Sequence, residues 1–115
     1  MPCGSCLARS PRRVPRHVGV RQEGCWTDQG LTGEVTVSGP GWSSLLTGVW
    51  MDKHGCRSNA FKDVRYDRYP HFFARLKERR PQAFTASIVD WLPIDRKILG
   101  ETGADFRFAH DYEDD

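Results

Sequence analysis

From residue 24 onward the chain contains short apolar segments, which are separated by prolines and glycines. Residues 34–37, "EVTV", alternate polar and β-branched side chains, which predicts the end of a strand. The run 84–89, "FTASIV", is short and unbroken, which is typical of a strand covered on both faces of a parallel sheet. Phe106 and Phe108 alternate with polar neighbours and predict a last strand.

Helical patterns lie between these segments. Residues 42–46 follow the Gly39-Pro40-Gly41 turn and predict one or two helical turns that Gly48 ends. Residues 70–80 predict a second helix between two prolines. Its apolar face repeats every three or four residues, so we expect the following side chains in the core: Phe72, Phe73 and Leu76.

A third, short helix begins at Pro93 and carries Ile94, Ile98 and Leu99 on one side. The order strand, helix, strand, helix, strand predicts an α/β fold with a mostly parallel sheet and flanking helices.

Composition divides the chain into a basic leader, residues 1–23, and a domain, residues 24–115. Five arginines and no acidic residue occur in residues 1–22, although the whole chain has a formal net charge of only +2. Prolines 2, 11 and 15 interrupt any helix there, so we expect a disordered, solvated tail. A nucleic-acid-binding arm and an organelle transit peptide are the alternatives.

No apolar run approaches the roughly 20 residues of a membrane-spanning helix, and no apolar segment follows the N-terminal charges as in a secretory signal. We therefore expect neither membrane anchoring nor export, and a cytoplasmic location by default. Cys3 and Cys6 are separated from the other cysteines by intervals that match no common zinc module, so reduced thiols are expected.

Ser38 is the main candidate for chemistry. It follows a β-branched run and precedes Gly-Pro-Gly and a helical pattern, so its hydroxyl is expected beside the unpaired N–H groups of a helix N-terminus. Such a place binds anions, and a hydroxyl held there can attack phosphorus or sulfur. The alternative is structural, because serine is among the best N-cap residues.

Residues 38–55, "SGPGWSSLLTGVWMDKHG", resemble the nucleophile segment of the alkaline-phosphatase-like superfamily. Its sulfatases have C/S-x-P-S-R and then L-L-T-G, which Ser38, Pro40 and residues 45–48 match. Its phosphodiesterase branch has a later H-G followed by an asparagine, matched by His54-Gly55 and Asn59. The similarity covers residues 24–115, most specifically at the nucleophile loop.

The resemblance implies a metal-dependent hydrolase of small phosphate or sulfate esters, with Ser38 as nucleophile and as a ligand of one of two divalent cations, usually zinc. Asn59 and Gly39 would bind the substrate. Gly41 and Trp42 stand where sulfatase maturation requires Ser and Arg, so an unmodified Ser38 and phosphoryl chemistry are favoured over sulfate hydrolysis.

The metal ligands of the superfamily have no matched counterpart, since Asp90 and Asp95 are better interpreted as caps or surface residues and the acidic residues 111–115 as solvated. The sequence therefore resembles a fragment of such an enzyme, with little activity alone. A noncatalytic remnant or a basic-armed binding module remains the other hypothesis. Ser-His catalysis through His54 or His71 is not expected, because no third residue is seen to orient either imidazole.

Overall fold

The computed structural model describes residues 15–33, 35–101 and 103–110 of the chain. The chain is divided into two compact units, Met1–Leu31 and Thr32–Asp115. The elements are the helices α1 (Pro15–Glu23), α2 (Ser38–Thr47), α3 (Met51–His54) and α4 (Phe72–Arg79), the strands β1 (Ala86–Val89) and β2 (Phe106–Ala109), and a π-helix (Ile94–Leu99) between the strands. None of the described helices has both the length and the apolar composition to cross a membrane.

Helix α1 corrects the expectation that prolines prevent helix formation throughout the leader. Pro15 is the first residue of α1, a position where the missing N–H and the fixed φ of proline are tolerated. The guanidinium carbon of Arg21 lies 3.5 Å from the ring centroid of Trp26, within the range of a cation–π contact. Residues 1–14, which include Cys3 and Cys6, lie outside the described residues.

The two strands form a parallel sheet in which Ala86 pairs with Phe106 and Val89 with Ala109. Two parallel strands must be joined by a crossover connection. The π-helix belongs to this connection, and it packs against β1. The α/β class with a parallel sheet is thus confirmed.

The strand predicted at 34–37 is not formed by residues 35–37. Val37 has an extended backbone, with φ −119° and ψ 147°, but it belongs to neither strand of the sheet. A strand needs a partner strand to pair its backbone N–H and C=O groups. These residues have none in the sheet, so their preference for strand conformation produces only an extended backbone.

The sheet is covered on one face only, which corrects the expectation of two covered faces. Ile88 pairs with Phe108 across the strands, and these side chains are 71% and 58% exposed. The alternate residue Ser87 is buried, and β1 contacts the π-helix.

Helix α4 begins and ends as the two flanking prolines predict, within two residues. His71 is its N-cap, and its Nδ1 atom accepts a hydrogen bond from the N–H of Ala74 at 3.4 Å. Phe72 and Leu76 were expected in the core, but Phe72 is half exposed and Leu76 is also exposed. The periodic face of α4 is therefore only partly covered.

The interior of the second unit is unusually polar. Its buried apolar residues are Cys56, Ile94, Ile98 and Leu99, which confirms the predicted inner side of the Pro93 segment. Its buried polar residues are Ser43, Thr47, His54, His71, Thr85, Ser87 and Asp95. Buried polar groups need hydrogen-bond partners, so side-chain hydrogen bonds carry much of the organisation of this unit.

Asp95 is one of these buried groups, and its assignment to a cap or the surface was wrong. Its Oδ2 atom accepts from Nη1 of Arg107 at 3.0 Å, and the guanidinium also bonds the carbonyl oxygen of Gly100. The ion pair ties the π-helix to β2.

Candidate functional site

Ser38 is the first residue of α2, and its side chain is exposed. The N-cap is Val37, so the interpretation of Ser38 as an N-cap is wrong. The Gly-Pro-Gly sequence forms the first helical turn and not a turn before the helix. Pro40 is tolerated as the third helical residue because its N–H would have no intrahelical partner there.

The structure brings the three predicted site residues together at this helix start. The backbone N–H of Gly39 donates to Oδ1 of Asn59 at 2.8 Å, although 20 residues separate them. A Cβ atom on Gly39 would lie 2.8 Å from the carbonyl oxygen of Ser58 and 3.1 Å from Oδ1 of Asn59. Only glycine lets the loop 55–59 approach α2 this closely.

The first turn of α2 leaves few free donors. The N–H of Gly41 bonds the carbonyl oxygen of Val37 at 3.1 Å, Pro40 has no N–H, and the N–H of Gly39 is bonded to Asn59. Among the described residues, no oxygen atom accepts a hydrogen bond from the backbone N–H of Ser38.

Asn59 adds donors at the same place. Its amide oxygen faces the N–H of Gly39, so its amide nitrogen, which carries two hydrogens, points away from Gly39. Asn59 is exposed. The helix start therefore offers the Ser38 hydroxyl, the Ser38 N–H and the Asn59 amide to an oxyanion, at the positive end of the helix dipole.

A second contact joins the same loop to α2. The Nδ1 atom of His54 accepts from the N–H of Cys56 at 3.0 Å, and Nε2 lies 2.9 Å from Oγ of Ser44. His54 is fully buried, and this burial lowers its pKa from 6.5. The imidazole is therefore neutral at pH 7, and because Nδ1 is an acceptor, we assign the hydrogen to Nε2, which donates to Ser44.

This tautomer decides whether His54 can act as a general base toward Ser44. The sequence indicates no group that orients His54, whereas in the structure the N–H of Cys56 donates to its Nδ1 atom. Because Nε2 already carries a hydrogen, it cannot accept the proton of the Ser44 hydroxyl, as a general base must. His54 positions the loop on α2, and no periodic pattern in the sequence signals this role.

Further contacts fix the loop between these two attachments. Gly55 has φ +79°, and a Cβ on it would collide with the carbonyl oxygen of Asp63. The thiol of Cys56 is fully buried and donates to the carbonyl oxygen of Ser58 at 3.4 Å. The motif His54-Gly55 followed by Asn59 thus has a structural basis in this chain.

Ser43 supports the first turn of α2 from the interior. Its Oγ atom lies 2.6 Å from the carbonyl oxygen of Gly39 and 2.7 Å from the hydroxyl oxygen of Tyr66. Ser43 has one hydroxyl hydrogen, which goes to the carbonyl oxygen, so Tyr66 donates to Ser43. Burial raises the pKa of Tyr66 well above 10, which keeps the phenol protonated as this arrangement requires.

A cavity of about 440 Å³ borders α2 and does not include Ser38, Gly39 or Asn59. Its walls include Val35, Pro40, Ser44, Trp50, Met51 and Asp52. No pattern in the sequence indicates this cavity, because its walls come from an extended segment and two helices.

The described residues do not fit the expected pair of zinc ions. They contain no group of three or more His, Cys, Asp or Glu side chains that could hold a metal ion. The Asp95 carboxylate is engaged by Arg107, and residues 111–115 lie outside the described residues.

We find no match to this chain among protein-family models, curated proteins or solved structures. The resemblance to the alkaline-phosphatase-like superfamily therefore stays a hypothesis, which depends mainly on the motif residues between positions 38 and 59.

Proposed function

We propose that the start of α2 is a binding site for small phosphate esters in a hydrolase of the alkaline-phosphatase-like type, with Ser38 as its nucleophile. The contact between the Gly39 N–H and Oδ1 of Asn59, at 2.8 Å, is the observation that carries the proposal. It places the amide of Asn59 beside the exposed serine, with its donors free. Ser38, Gly39 and Asn59 thereby lie at one helix terminus.

In this proposal the ester's nonbridging oxygens accept from the Ser38 N–H and from the amide of Asn59. Oγ of Ser38 forms a bond to phosphorus as the bond from phosphorus to the alcohol oxygen breaks, and the serine proton passes through water to the departing alcohol. Water then attacks the phosphoseryl intermediate, which releases inorganic phosphate and restores the serine hydroxyl. Donors aimed at the developing charge stabilise such a transition state. Asn59 and the Ser38 N–H thus bind and orient the ester, Oγ of Ser38 attacks it, and solvent water carries the serine proton.

Phosphate is favoured over sulfate by the residues after Pro40. Gly41 and Trp42 replace the serine and arginine of the sulfatase maturation signal, so Ser38 keeps its hydroxyl. A phosphate monoester also carries more negative charge than a sulfate ester, and a helix N-terminus favours the greater charge.

Two-dimensional ¹⁵N NMR of the full chain tests this proposal. Phenyl phosphate should shift the backbone signals of Ser38 and Gly39 and the side-chain amide of Asn59, with phenyl sulfate binding more weakly. Ser38→Ala should weaken phenyl phosphate binding by about two- to tenfold, as expected for the loss of one ordinary hydrogen bond at an exposed site.

Thr36→Ala is the matched control, because it removes an exposed hydroxyl two residues before Ser38 and should leave the affinity unchanged. The proposal is wrong if phenyl phosphate shifts only the arginine-bearing helix α1, or if Ser38→Ala binds as tightly as the original chain. Shifts confined to α1 would favour the basic-armed binding module.

A further inference from the structure

The cavity beside α2 has one polar and one apolar part. Val35, Pro40 and Met51 supply apolar wall, and the indole of Trp50 adds an aromatic surface. A volume of about 440 Å³ lies within the range of about 300–1,000 Å³ typical of small-molecule sites. Its chemistry therefore suits a small molecule with an apolar body.

The aromatic wall has a defined position. A Cβ on Gly33 would lie 3.4 Å from Cζ3 of Trp50, so the indole packs against the backbone of Gly33. The ring is nevertheless 61% exposed, which leaves most of its surface available to a ligand. A tryptophan ring is the best aromatic partner for an organic cation.

Asp52 makes the cavity wall negatively charged. It is the only ionisable side chain among the residues that line the cavity in the described part of the chain. Arg65 bonds the backbone carbonyl oxygen of Asp52, and the Asp52 carboxylate is in neither of the two described ion pairs. A ligand with a positive charge would neutralise it.

Ser44 provides a fixed hydrogen-bonding group in the same wall. Its Oγ atom accepts from Nε2 of His54 and keeps its own hydrogen and a second lone pair for other partners. It can bond either a donor or an acceptor on the ligand, so it orients the molecule without selecting its charge.

We propose that this cavity binds a small organic cation whose apolar or aromatic body lies against Trp50, Pro40 and Met51 and whose charged group faces Asp52. This site is separate from the proposed phosphate-ester site, because Ser38, Gly39 and Asn59 are not in its walls.

Three probes of similar shape isolate the contribution of charge: benzylammonium, benzyl alcohol and phenylacetate. In ¹⁵N NMR titrations of the full chain, benzylammonium should shift the signals of Ser44, Trp50 and Asp52. Its affinity should exceed that of benzyl alcohol by about three- to tenfold, as expected for one partly exposed charge pair with a cation–π contact. Phenylacetate should bind most weakly.

Matched variants assign the effect to side chains. Asp52→Asn should abolish the preference for benzylammonium over benzyl alcohol, whereas the exposed Asp90→Asn should preserve it. Trp50→Leu should weaken both ligands, and Trp42→Leu, which changes another exposed tryptophan that lies outside the cavity, should weaken neither.

The proposal is overturned if benzyl alcohol binds as tightly as benzylammonium, if Asp52→Asn retains the preference, or if the shifts fall away from the cavity. Titration of Asp52→Asn with phenyl phosphate separates the two proposals. Phenyl phosphate binding should survive this substitution, because it depends on Ser38 and Asn59.

Discussion

The side-chain amide oxygen of Asn59 accepts a hydrogen bond from the backbone N–H of Gly39 at 2.8 Å. Together with the contact between Ser44 and His54, at 2.9 Å, it fastens the loop 55–59 to α2 at both ends. One end of this loop therefore contributes to the exposed helix start, and the other is attached at a serine that lines the cavity.

Gly39→Ala should destabilise the fold. The added Cβ would lie 2.8 Å from the carbonyl oxygen of Ser58, so the loop must move away from α2. We expect a loss of about 1–3 kcal/mol in the free energy of unfolding, measured by urea denaturation.

Gly41→Ala is the control in the same helical turn. The nearest atom to a Cβ there is Oγ1 of Thr32 at 4.0 Å, and alanine has the higher helix propensity, so stability should be unchanged or rise by up to about 1 kcal/mol. Equal losses for the two variants would contradict the close approach at Gly39.

Ser44→Ala should also destabilise the chain, through a different mechanism. It removes the acceptor for the Nε2 hydrogen of the fully buried His54, and an unsatisfied buried donor costs about 1–3 kcal/mol. Ser38→Ala changes an exposed hydroxyl and should alter the free energy of unfolding by less than about 0.5 kcal/mol. Equal effects of the two substitutions would contradict a stabilising hydrogen bond between Ser44 and His54.

Acid should destabilise the fold through His54 and His71. Burial lowers the pKa of both residues from 6.5, so the unfolded chain takes up protons near pH 6.5 that the folded chain does not. The free energy of unfolding should therefore be highest above pH 6.5 and fall as the pH decreases toward 5. Urea denaturation at pH 7.5, 6.5 and 5.5 measures this slope.

His71→Asn identifies one source of the slope. Asparagine keeps a side-chain acceptor at the N-cap of α4 and removes one of the two titrating groups. The slope should decrease in this variant, and a slope that is unchanged would exclude His71 as a contributor.

Hydrolysis by the chain alone should be weak. The described residues hold no group of ligands for a metal ion, and Ser38 by itself cannot retain two zinc ions. We expect little hydrolysis of bis(4-nitrophenyl) phosphate with or without added zinc. Robust zinc-dependent hydrolysis that Ser38→Ala abolishes would show that this chain supplies the metal ligands.

The helices and strands were largely predictable, because their signals are local. Gly48 ends α2 in the left-handed conformation, with φ +71°, and Phe106 lies in a strand, as glycine and alternation indicate. The extent of burial was less predictable. Ile88 has a strand pattern, but its exposure depends on whether another element covers that face of the sheet.

The site was predictable only in part. Ser38 was indicated by its place between a β-branched run and a helical pattern, whereas Asn59 was found by resemblance, because no local pattern joins residues 21 positions apart. The beginning of α2 at Ser38 was missed, since Gly-Pro-Gly normally indicates a turn and here the loop at Ser58 requires the small residue at Gly39. The attachment of His54 to Ser44 required the folded backbone.

The affinity of phenyl phosphate for the Asn59→Asp variant, compared with the original chain, tests the central claim most directly. Aspartate keeps an oxygen that accepts the Gly39 N–H, so the loop stays in place, but it removes the amide donors and adds a negative charge. The proposed site predicts a loss of at least about tenfold in affinity, with the free energy of unfolding nearly unchanged. Undiminished affinity in a folded Asn59→Asp chain would contradict an oxyanion site at Ser38 and Asn59.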